Sequence, residues 1–368
     1  ASPDSDDSGQ DGSPLLDSGR FGRIRSNILA SNVTAADAID RDGSPQYTSL
    51  RWLADEDEAA LDPDDKALLQ RYALAVLYHS SMVAAPLPPA RSSEEAAYIS
   101  YNVSHQESKQ PEDNLFVDAV GGPYEGWSND KNWMTGLGHC SWTGIECQKR
   151  EGTFGWDSSK GRNGKVTGLV LKENSLRGTL PSELAALSNL HELDLSENRI
   201  TGTIPSQLGR LSQLGRLSLS SNGLASSIPT ELGRLAELTE LLLERNRLKG
   251  SIFSQIGSLT SLQTLSLSEN YFTLGFPPIQ NMTKLRSLSL DGNELDGTLP
   301  GSVMGTFTFL EEIRVGNNRF AGTIPKELAD LPSLKVISVE NNNLTGKVPW
   351  QFYRLRELVE LRASHNGL

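Results

Sequence analysis

The stretch LSNLHELDLSENRITGTIPSQLGR (187–210) is followed directly by LSQLGRLSLSSNGLASSIPTELGR (211–234) and LAELTELLLERNRLKGSIFSQIGS (235–258). Each stretch is 24 residues long, with an asparagine at its twelfth place. A fixed period of 20–29 residues of the form L-x-x-L-x-L-x-x-N predicts a solenoid of stacked turns. From residue 163 the asparagine recurs in register at Asn174, Asn198, Asn222, Asn246, Asn270, Asn293, Asn318, Asn342 and Asn366.

The period predicts how each turn folds. A short strand, such as residues 193–195, joins a parallel sheet on the concave side, and its leucines point inward. The asparagine amide pairs with backbone groups that the following bend would otherwise bury without partners. Because one turn cannot bury its own face, stability comes from stacking. Nine strands at roughly 4.8 Å give an α/β solenoid with a concave sheet about 40 Å long.

The second half of the unit carries a family resemblance. The segments ITGTIP (200–205), FAGTIP (320–325) and LTGKVP (344–349) follow the pattern L-x-G-x-I-P. This pattern resembles the plant-type leucine-rich repeat of extracellular receptor ectodomains and wall-protein inhibitors. The resemblance implies a leucine-rich-repeat superhelix whose concave face binds a protein or peptide.

The region before the repeats extends the resemblance. HCSWTGIEC (139–147), followed by GKVTGLVL (164–171), resembles the cysteine-paired N-terminal cap of the same class. SPQYTSLRWLADEDEAALDPDDKALLQRYALAVLY (44–78) resembles the cap of leucine-rich-repeat surface-type proteins of diatoms. The resemblance covers about 44–81 and 127–368, and the irregular insertion at about 82–126 departs from it.

The only two cysteines, Cys140 and Cys147, lie in this cap segment. By the resemblance they form a bridge that staples the first turn, worth about 2.5 kcal/mol by loop closure. The lid over that turn would then consist of Trp127, Trp133 and Trp142. The alternative is a metal site of His139, the two cysteines and a distant histidine, but the cysteines lack the close spacing of structural zinc sites. A bridge implies an oxidising compartment.

These features divide the chain into three parts. Residues 1–44 are predicted to be an acidic low-complexity tail that contributes little to folding. Residues 45–162 form a mainly helical cap in which Ser44 and Asp62 cap two helices. Residues 163–368 form nine repeats, the last of them incomplete.

The charge is uneven along the chain. Residues 1–65 carry 15 acidic and 5 basic residues, whereas residues 163–368 carry 20 of each. With no basic patch, nucleic acid is not an expected partner. With no run of 18 apolar residues, we expect membrane attachment only through segments absent from this chain.

Two motifs bear on metal binding and location. The acidic residues from Asp55 to Asp65 suggest calcium, but they lack the glycine and closing glutamate of an EF-hand, so capping and solvation are favoured. Four sequons favour an extracellular or secretory-pathway glycoprotein, either free or tethered to a membrane. Their asparagines are Asn32, Asn102, Asn281 and Asn343.

No catalytic motif is found: the chain lacks G-x-S-x-G and G-x-G-x-x-G, and its five histidines lie far apart in sequence. We therefore expect a non-enzymatic protein without a cofactor. A recognition surface is the remaining hypothesis. The sixth, eighth, tenth and eleventh places of each turn face the concave side, and the alternative is a solvated face without a partner. The candidate residues are Glu192, Asp194, Glu197, Arg216, Glu240, Leu242, Glu244, Ser266 and Arg314.

Two irregularities remain open. Phe253 replaces the usual proline, and YFTLGFPPIQ (271–280), in which Phe272 and Phe276 fill leucine and isoleucine places, shortens its unit to 23 residues. Phe253 and Tyr271 fall at positions that are usually exposed, so the irregularity marks either a contact site or drift. The last turn stops at ASHNGL (363–368) without a closing cap, so the array either continues or is covered by another chain. The favoured function is a receptor-like recognition module, and the alternative is an adhesive or cell-wall protein that self-associates through its solenoid, at the uncapped C-terminal end.

Overall fold

The repeats stack as expected in the computed structural model, which describes residues 18–57, 61–82, 127–135, 137–148, 164–252 and 254–368. In turns two to six the leucines at the seventh and ninth places, such as Leu193 and Leu195, have no solvent exposure. Together they form one continuous apolar core from the cap to the last turn. The predicted leucine-rich-repeat superhelix with a concave parallel sheet is confirmed.

Ten strands form the concave sheet. The first is antiparallel to the second, and all later neighbours are parallel and in register. The strands are β1 (Ile145–Cys147), β2 (Val166–Val170), β3 (Glu192–Asp194), β5 (Arg216–Ser218), β7 (Glu240–Leu242), β9 (Thr264–Ser266), β11 (Ser287–Ser289), β12 (Glu312–Arg314), β14 (Val336–Ser338) and β16 (Glu360–Arg362).

A second series of short strands runs along one flank. They are β4 (Thr201–Gly202), β6 (Gly223–Ser226), β8 (Arg247–Gly250), β10 (Tyr271–Phe272), β13 (Ala321–Gly322) and β15 (Asn343–Leu344). On the convex side, a proline precedes most of the short helical segments, because proline fixes the extended entry of the chain. The 3-10 segments are Ser182–Ala186, Ser206–Arg210, Thr230–Arg234, Ser254–Ser258, Lys326–Asp330 and Trp350–Arg354, and one short α-helix, Gly301–Met304, takes this place in the sixth turn.

The ladder asparagines join consecutive turns. The Nδ2 atom of Asn198 lies 2.8 Å from the carbonyl oxygen of Leu171 in the preceding turn. It also lies 3.0 and 2.9 Å from the carbonyl oxygens of Leu195 and Ser196 in its own turn. Its Oδ1 atom accepts from the backbone N–H of Leu176 at 2.9 Å. Equivalent bonds recur at Asn222, Asn246, Asn270, Asn293, Asn318, Asn342 and Asn366.

The described residues of the N-terminal cap contain four α-helices: α1 (Ser18–Ala30), α2 (Ala36–Ile39), α3 (Pro45–Arg51) and α4 (Lys66–Met82). A π-helical turn, Trp52–Glu56, extends α3. The predicted cap at Ser44 is confirmed, since its hydroxyl accepts from the backbone N–H of Tyr47 at 3.0 Å. Asp62 does not begin α4. Its carboxylate accepts from Asp64 within a turn, and Asp65 accepts from the N–H of Ala67 where the helix starts.

The prediction of a coil tail over residues 1–44 is wrong from Ser18 onward. Ile24 and Ile28 of α1 and Ile39 of α2 are fully buried. The segment after α1 contacts the repeats, because the backbone carbonyl of Asn32 accepts from Arg210 at 2.8 Å. The polar stretch ASPDSDDSGQDGSP (1–14) dominates the average composition of residues 1–44. That average gave no sign of Ile24, Ile28 and Ile39, which pack into the cap core.

Arg71 is the polar centre of the cap. Its guanidinium donates to both carboxylate oxygens of Asp57, at 2.7 and 2.6 Å, and both side chains are fully buried. It also donates to the carbonyl of Leu137 at 2.9 Å, in the loop that leads to the cysteines. The guanidinium lies 5.1 and 4.8 Å from the ring centroids of Trp52 and Trp142. The sequence predicted an apolar face for α4 but missed this buried ion pair.

The cysteine-paired end of the cap agrees with the resemblance. Cys140 and Cys147 form a disulfide. Trp127, Trp133 and Trp142 are all buried, with neighbouring ring centroids 4.6 and 4.9 Å apart. The disulfide and the rings therefore cover the first turn of the solenoid, which has no preceding turn to bury its leucines.

The first prediction concerns the packing of α1. Ile28→Ala should lower the free energy of unfolding by about 2–5 kcal/mol, because it removes a fully buried side chain. Arg23→Ala on the exposed side of the same helix is the matched control. Chemical denaturation followed by circular dichroism compares the two, and equal stability of both variants would restore the tail hypothesis.

The second prediction concerns the ladder. Asn222→Ala should cost roughly 1–3 kcal/mol, because it leaves buried backbone groups without partners. Asn222→Asp should cost more, since a carboxylate would replace the amide donor beside three carbonyl oxygens. The exposed Gln213→Ala serves as the control in the same turn. If thermal melting shows no loss for either Asn222 variant, the ladder does not hold the turns together.

The third prediction concerns pH. Burial lowers the pKa of His139 to about 4, so its imidazole is neutral in the folded cap, and its Nε2–H donates to the carbonyl oxygen of Gly164, 2.9 Å away. The unfolded chain takes up a proton below about pH 6.5, and therefore the stability from neutral His139 is lost as pH falls from about 6.5 towards 4. Between pH 7 and pH 5 we expect wild type to lose about 2 kcal/mol more than His139→Gln. His191→Gln, in an exposed position, should keep the wild-type pH dependence.

Candidate functional site

The in-register sheet aligns equivalent side chains into columns on the concave face. Glu192, Arg216 and Glu240 are direct neighbours at the sixth place of successive turns. At the eighth place, Asp194, Ser218, Leu242 and Ser266 follow one another in the same way. The predicted residues of turns two to five therefore form one surface. Arg314, on β12, lies two strands beyond Ser266, about 10 Å away, and is a separate part of the face.

Arg216 gathers the predicted acidic patch around itself. Its guanidinium contacts Glu192 at 3.3 Å and Asp194 at 3.5 Å, and it forms a close ion pair with Glu240. Three carboxylates from three strands thus converge on one cation. The network is half-exposed, so each pair contributes only about 0–1 kcal/mol. Because one guanidinium faces three carboxylates, Arg216 balances only one of the three negative charges, and the cluster keeps a net negative charge.

The eleventh place lies at one rim of the face rather than in its centre. The residue there has a positive φ in all nine turns, for example 56° at Glu197 and 55° at Arg245. This left-handed conformation turns the chain before the ladder asparagine. Both side chains pair along the rim, Glu197 with Lys172 at 2.8 Å and Arg245 with Glu269 at 3.3 Å.

The centre of the face is lined by small hydroxyl side chains. Leu242 stands between Ser218 and Ser266, one on each neighbouring strand. Glu244, two residues further along, is half-buried, and its Oε2 atom has no hydrogen-bond partner. Glu244 has no cation in contact among the described residues, unlike the other four predicted acids. Leu242 and Glu244 are therefore the apolar and the anionic groups that remain for a ligand.

Some members of the surface were missed from sequence. Lys172 belongs to the first turn, whose concave places were not considered. Glu311, at the opposite rim, accepts from Lys335 at 2.7 Å and from Arg286 at 2.9 Å, and these hydrogen bonds lower the pKa of its carboxyl group. Glu311, Lys335 and Arg286 all occupy the fifth place of their turns, a place outside the predicted concave set.

The irregular fifth turn exposes apolar groups on the flank. Tyr271 is 53% and Leu274 63% exposed, whereas Phe272 is buried in a leucine place, as predicted. Phe276 packs partly against the core. Phe253 lies outside the described residues. Whether this turn marks a contact site or drift stays open.

The sequons that the structure describes lie away from the concave face. Asn281 is exposed in the turn before Met282, on the convex side, and Asn343 is exposed in β15 of the flanking strands. Asn32 is exposed between α1 and α2. Asn102 and nearly all of the 82–126 insertion lie outside the described residues. Glycans at the three described positions would leave the concave face open.

Within the described ranges, the side chains that approach metal-ligand spacing are His139, Cys140 and Cys147. Since both sulfurs are in the disulfide, this group does not offer thiolate ligands. The acidic residues considered for calcium are also engaged, Asp57 by Arg71 and Asp55 by Arg51. None of the described helices has the length and apolar character needed to cross a membrane.

The repeats match a known family. Residues 188–248 and 309–368 match the family model described as Leucine rich repeat, and residues 261–282 and 284–305 match a second model of that description. Receptor-like protein 18 of Arabidopsis thaliana is 40% identical over 100 residues, which cover 27% of this chain and 12% of that protein. Cuscuta receptor 1 of Solanum lycopersicum is 38% identical over 72 residues, 20% of this chain and 6% of the relative.

Solved structures give the same result for the fold. The ectodomain of the plant receptor kinase GASSHO1/SCHENGEN3 from Arabidopsis thaliana, in complex with CASPARIAN STRIP INTEGRITY FACTOR 2, aligns with a TM-score of 0.59 and 28% identity. The alignment covers 82% of this chain and 30% of that one. The Arabidopsis HAESA ectodomain, in complex with an IDA peptide hormone, aligns with a TM-score of 0.50 and 32% identity over 52% of this chain and 32% of that one.

The chain thus spans about a third or less of the proteins it matches. Over that length it shares their repeat sequence, their concave sheet and their stacking. Its repeat region is a leucine-rich-repeat solenoid, similar in sequence and fold to the ectodomains of plant receptor-like proteins.

Proposed function

We propose that the protein is a non-enzymatic extracellular recognition module that binds a protein or peptide on its concave face, as part of a receptor-like or surface protein. The observation that carries this proposal is the aligned surface of turns two to five, where Leu242 and Glu244 stand among serines with no partner of their own. Two structural relatives are ectodomains in complex with CASPARIAN STRIP INTEGRITY FACTOR 2 and with a peptide hormone, and this supports a peptide as the class of ligand.

The free groups indicate the chemistry of the ligand. Serine side chains are short, so an extended peptide backbone can approach the sheet between turns three and six. A lysine or arginine of the ligand would pack its aliphatic stem on Leu242 and direct its charge to Glu244. The acids around Arg216 contribute less attraction than their number suggests, since that guanidinium balances one of their three negative charges. We therefore expect a locally basic partner to gain its affinity from a few anchor side chains. The remaining negative electrostatic field of the concave face would chiefly raise its association rate.

The location is part of the same proposal. The Cys140–Cys147 disulfide and the exposed sequon asparagines fit the secretory pathway or the cell exterior. We also retain as a proposal the similarity of the cap to diatom surface-type proteins, and attachment to a membrane through segments outside this chain.

An adhesive or cell-wall role is the second candidate. The observation that favours it is the exposed apolar surface of the last two turns, where Trp350 is 69%, Tyr353 72% and Val359 85% exposed. Exposed apolar patches of this kind mark association sites. Sedimentation of the purified chain at rising concentration distinguishes the two: self-association that Trp350→Ser with Tyr353→Gly abolishes would favour adhesion.

The fourth prediction tests the concave face. A random peptide display library selected on the wild-type protein should enrich peptides that carry lysine or arginine beside an apolar residue. Leu242→Ser should accelerate dissociation of the enriched peptides about tenfold, because the apolar anchor is lost. Glu244→Gln should slow association and flatten its dependence on salt. Biolayer interferometry at two salt concentrations measures both rates.

Glu244→Gln is a cleaner variant than the reversal of Glu192 and Glu240, which would also strip Arg216 of its partners. Glu231→Gln, on the convex segment of turn three, changes the net charge of the protein by the same amount as Glu244→Gln and is therefore the matched control. If enriched peptides bind both concave variants and the control with the same kinetics, their site lies elsewhere, and the flank around Tyr271 is the next surface to test.

A further inference from the structure

The convex side of the eighth turn differs from the other regular turns at one position. In the six 3-10 segments of the convex side, the fourth residue is glycine or alanine five times and tyrosine once. The small residues are Ala185, Gly209, Gly233, Gly257 and Ala329. The exception is Tyr353, in the segment Trp350–Arg354.

The small residue is where the next turn comes closest. A Cβ atom added to Gly233 would lie 2.5 Å from the carbonyl oxygen of Gln255, and one added to Gly257 would lie 2.5 Å from that of Pro278. Real Cβ atoms essentially never come within 3.0 Å of such an atom. Ala329 is buried under the segment that follows it. This contact therefore limits how closely successive convex segments stack, and it leaves room for a methyl group at most.

Tyr353 places an aromatic ring at this point. The ring stacks on Trp350 at a centroid distance of 5.7 Å and an interplanar angle of 12°. The guanidinium of Arg354 lies 5.8 Å from both ring centroids. The ring is thus held by neighbours in its own segment, in the space that a following 3-10 segment would need.

The ladder side of the same turns is regular. Strand β16 pairs in register with β14. The Oδ1 atom of Asn366 accepts from the backbone N–H of Leu344 at 2.9 Å, as the ladder asparagines of turns two to eight do from the turn before them. The departure from the repeat is therefore confined to the convex side.

We propose that Tyr353, supported by Trp350 and Arg354, is a stacking stop: it prevents a further regular 3-10 segment from packing on the convex side of the eighth turn. The ladder continues through the ninth turn, while Tyr353 makes the eighth turn different from the other five turns that have a 3-10 segment on the convex side. The rings of Trp350 and Tyr353 and the guanidinium of Arg354 form an aromatic shelf. A polypeptide segment that packs against this shelf has a conformation other than that of the regular 3-10 segment. This inference does not depend on the proposed ligand-binding function.

Completing the ninth turn tests the proposal. The ten residues TGTIPSQLGR, the sequence of 201–210, are appended after Leu368 in wild type and in Tyr353→Gly. In the Tyr353→Gly background the appended segment should stack and raise the thermal midpoint by about 2–4 °C over the same variant without it. In wild type it should raise the midpoint by less than a quarter of that amount. An equal rise in both backgrounds would overturn the proposal.

The reverse substitution, which puts a tyrosine in place of the small residue, tests the proposal in an internal turn of the array. Gly233→Tyr should lower the thermal midpoint by more than 10 °C or prevent folding, because Gln255 of the next turn occupies the space. Thr230→Trp, at the exposed place equivalent to Trp350, should shift it by only about 1–2 °C. If Gly233→Tyr melts within 2 °C of Thr230→Trp, a tyrosine at this place does not oppose stacking, and the proposal fails.

Discussion

The asparagine ladder is the interaction on which the rest of the structure depends. At the end of each concave strand the chain bends inward, and its carbonyl groups face the core where water cannot reach them. One side-chain amide pairs with carbonyl groups of two turns at once, since the Nδ2 of Asn198 donates to the carbonyl oxygen of Leu171 in the preceding turn and to that of Leu195 in its own turn. The ladder therefore satisfies the bend and also sets the register between turns.

The register creates the candidate site. Because each strand pairs residue for residue with the next, side chains from turns 24 residues apart in sequence become neighbours. Glu192, Arg216 and Glu240 meet in this way, and Arg216 balances one of the negative charges around it. The negative charge that the face offers to a partner is therefore smaller than the count of its acids suggests. The face offers a floor of hydroxyl groups, one apolar side chain, the remaining charge around Arg216, and one carboxylate that has no cation among the described residues.

The ends of the array show what stacking otherwise supplies. The first ladder residue, Asn174, has no preceding repeat, and its Oδ1 accepts instead from the N–H of Asn129 in the cap, at 2.6 Å. The apolar side of the first turn is covered by helices, buried tryptophans and the disulfide, with the Arg71–Asp57 pair between them. At the other end the ladder is regular, and the aromatic shelf at Tyr353 changes only the convex side. Different groups therefore lie against the apolar side of the first turn and on the convex side of the eighth turn.

The sequence by itself determined the repeat, the ladder, the concave strands and the set of side chains that face the concavity, because each follows from a period in which every turn has the same neighbours. The cysteine-paired cap was implied by the family resemblance. The sequence did not determine the packing of α1, since the isoleucines of this helix are few and the helix packs against α3 and the π-helical turn, which lie further along the chain. Nor did it determine which charges on the face are free. Opposite charges in equivalent places predict attraction, but only the distances around Arg216 show that three acids share one cation while Glu244 has none. Periodicity specifies which residues are adjacent, whereas the partition of contacts among several adjacent residues is a property of the folded geometry.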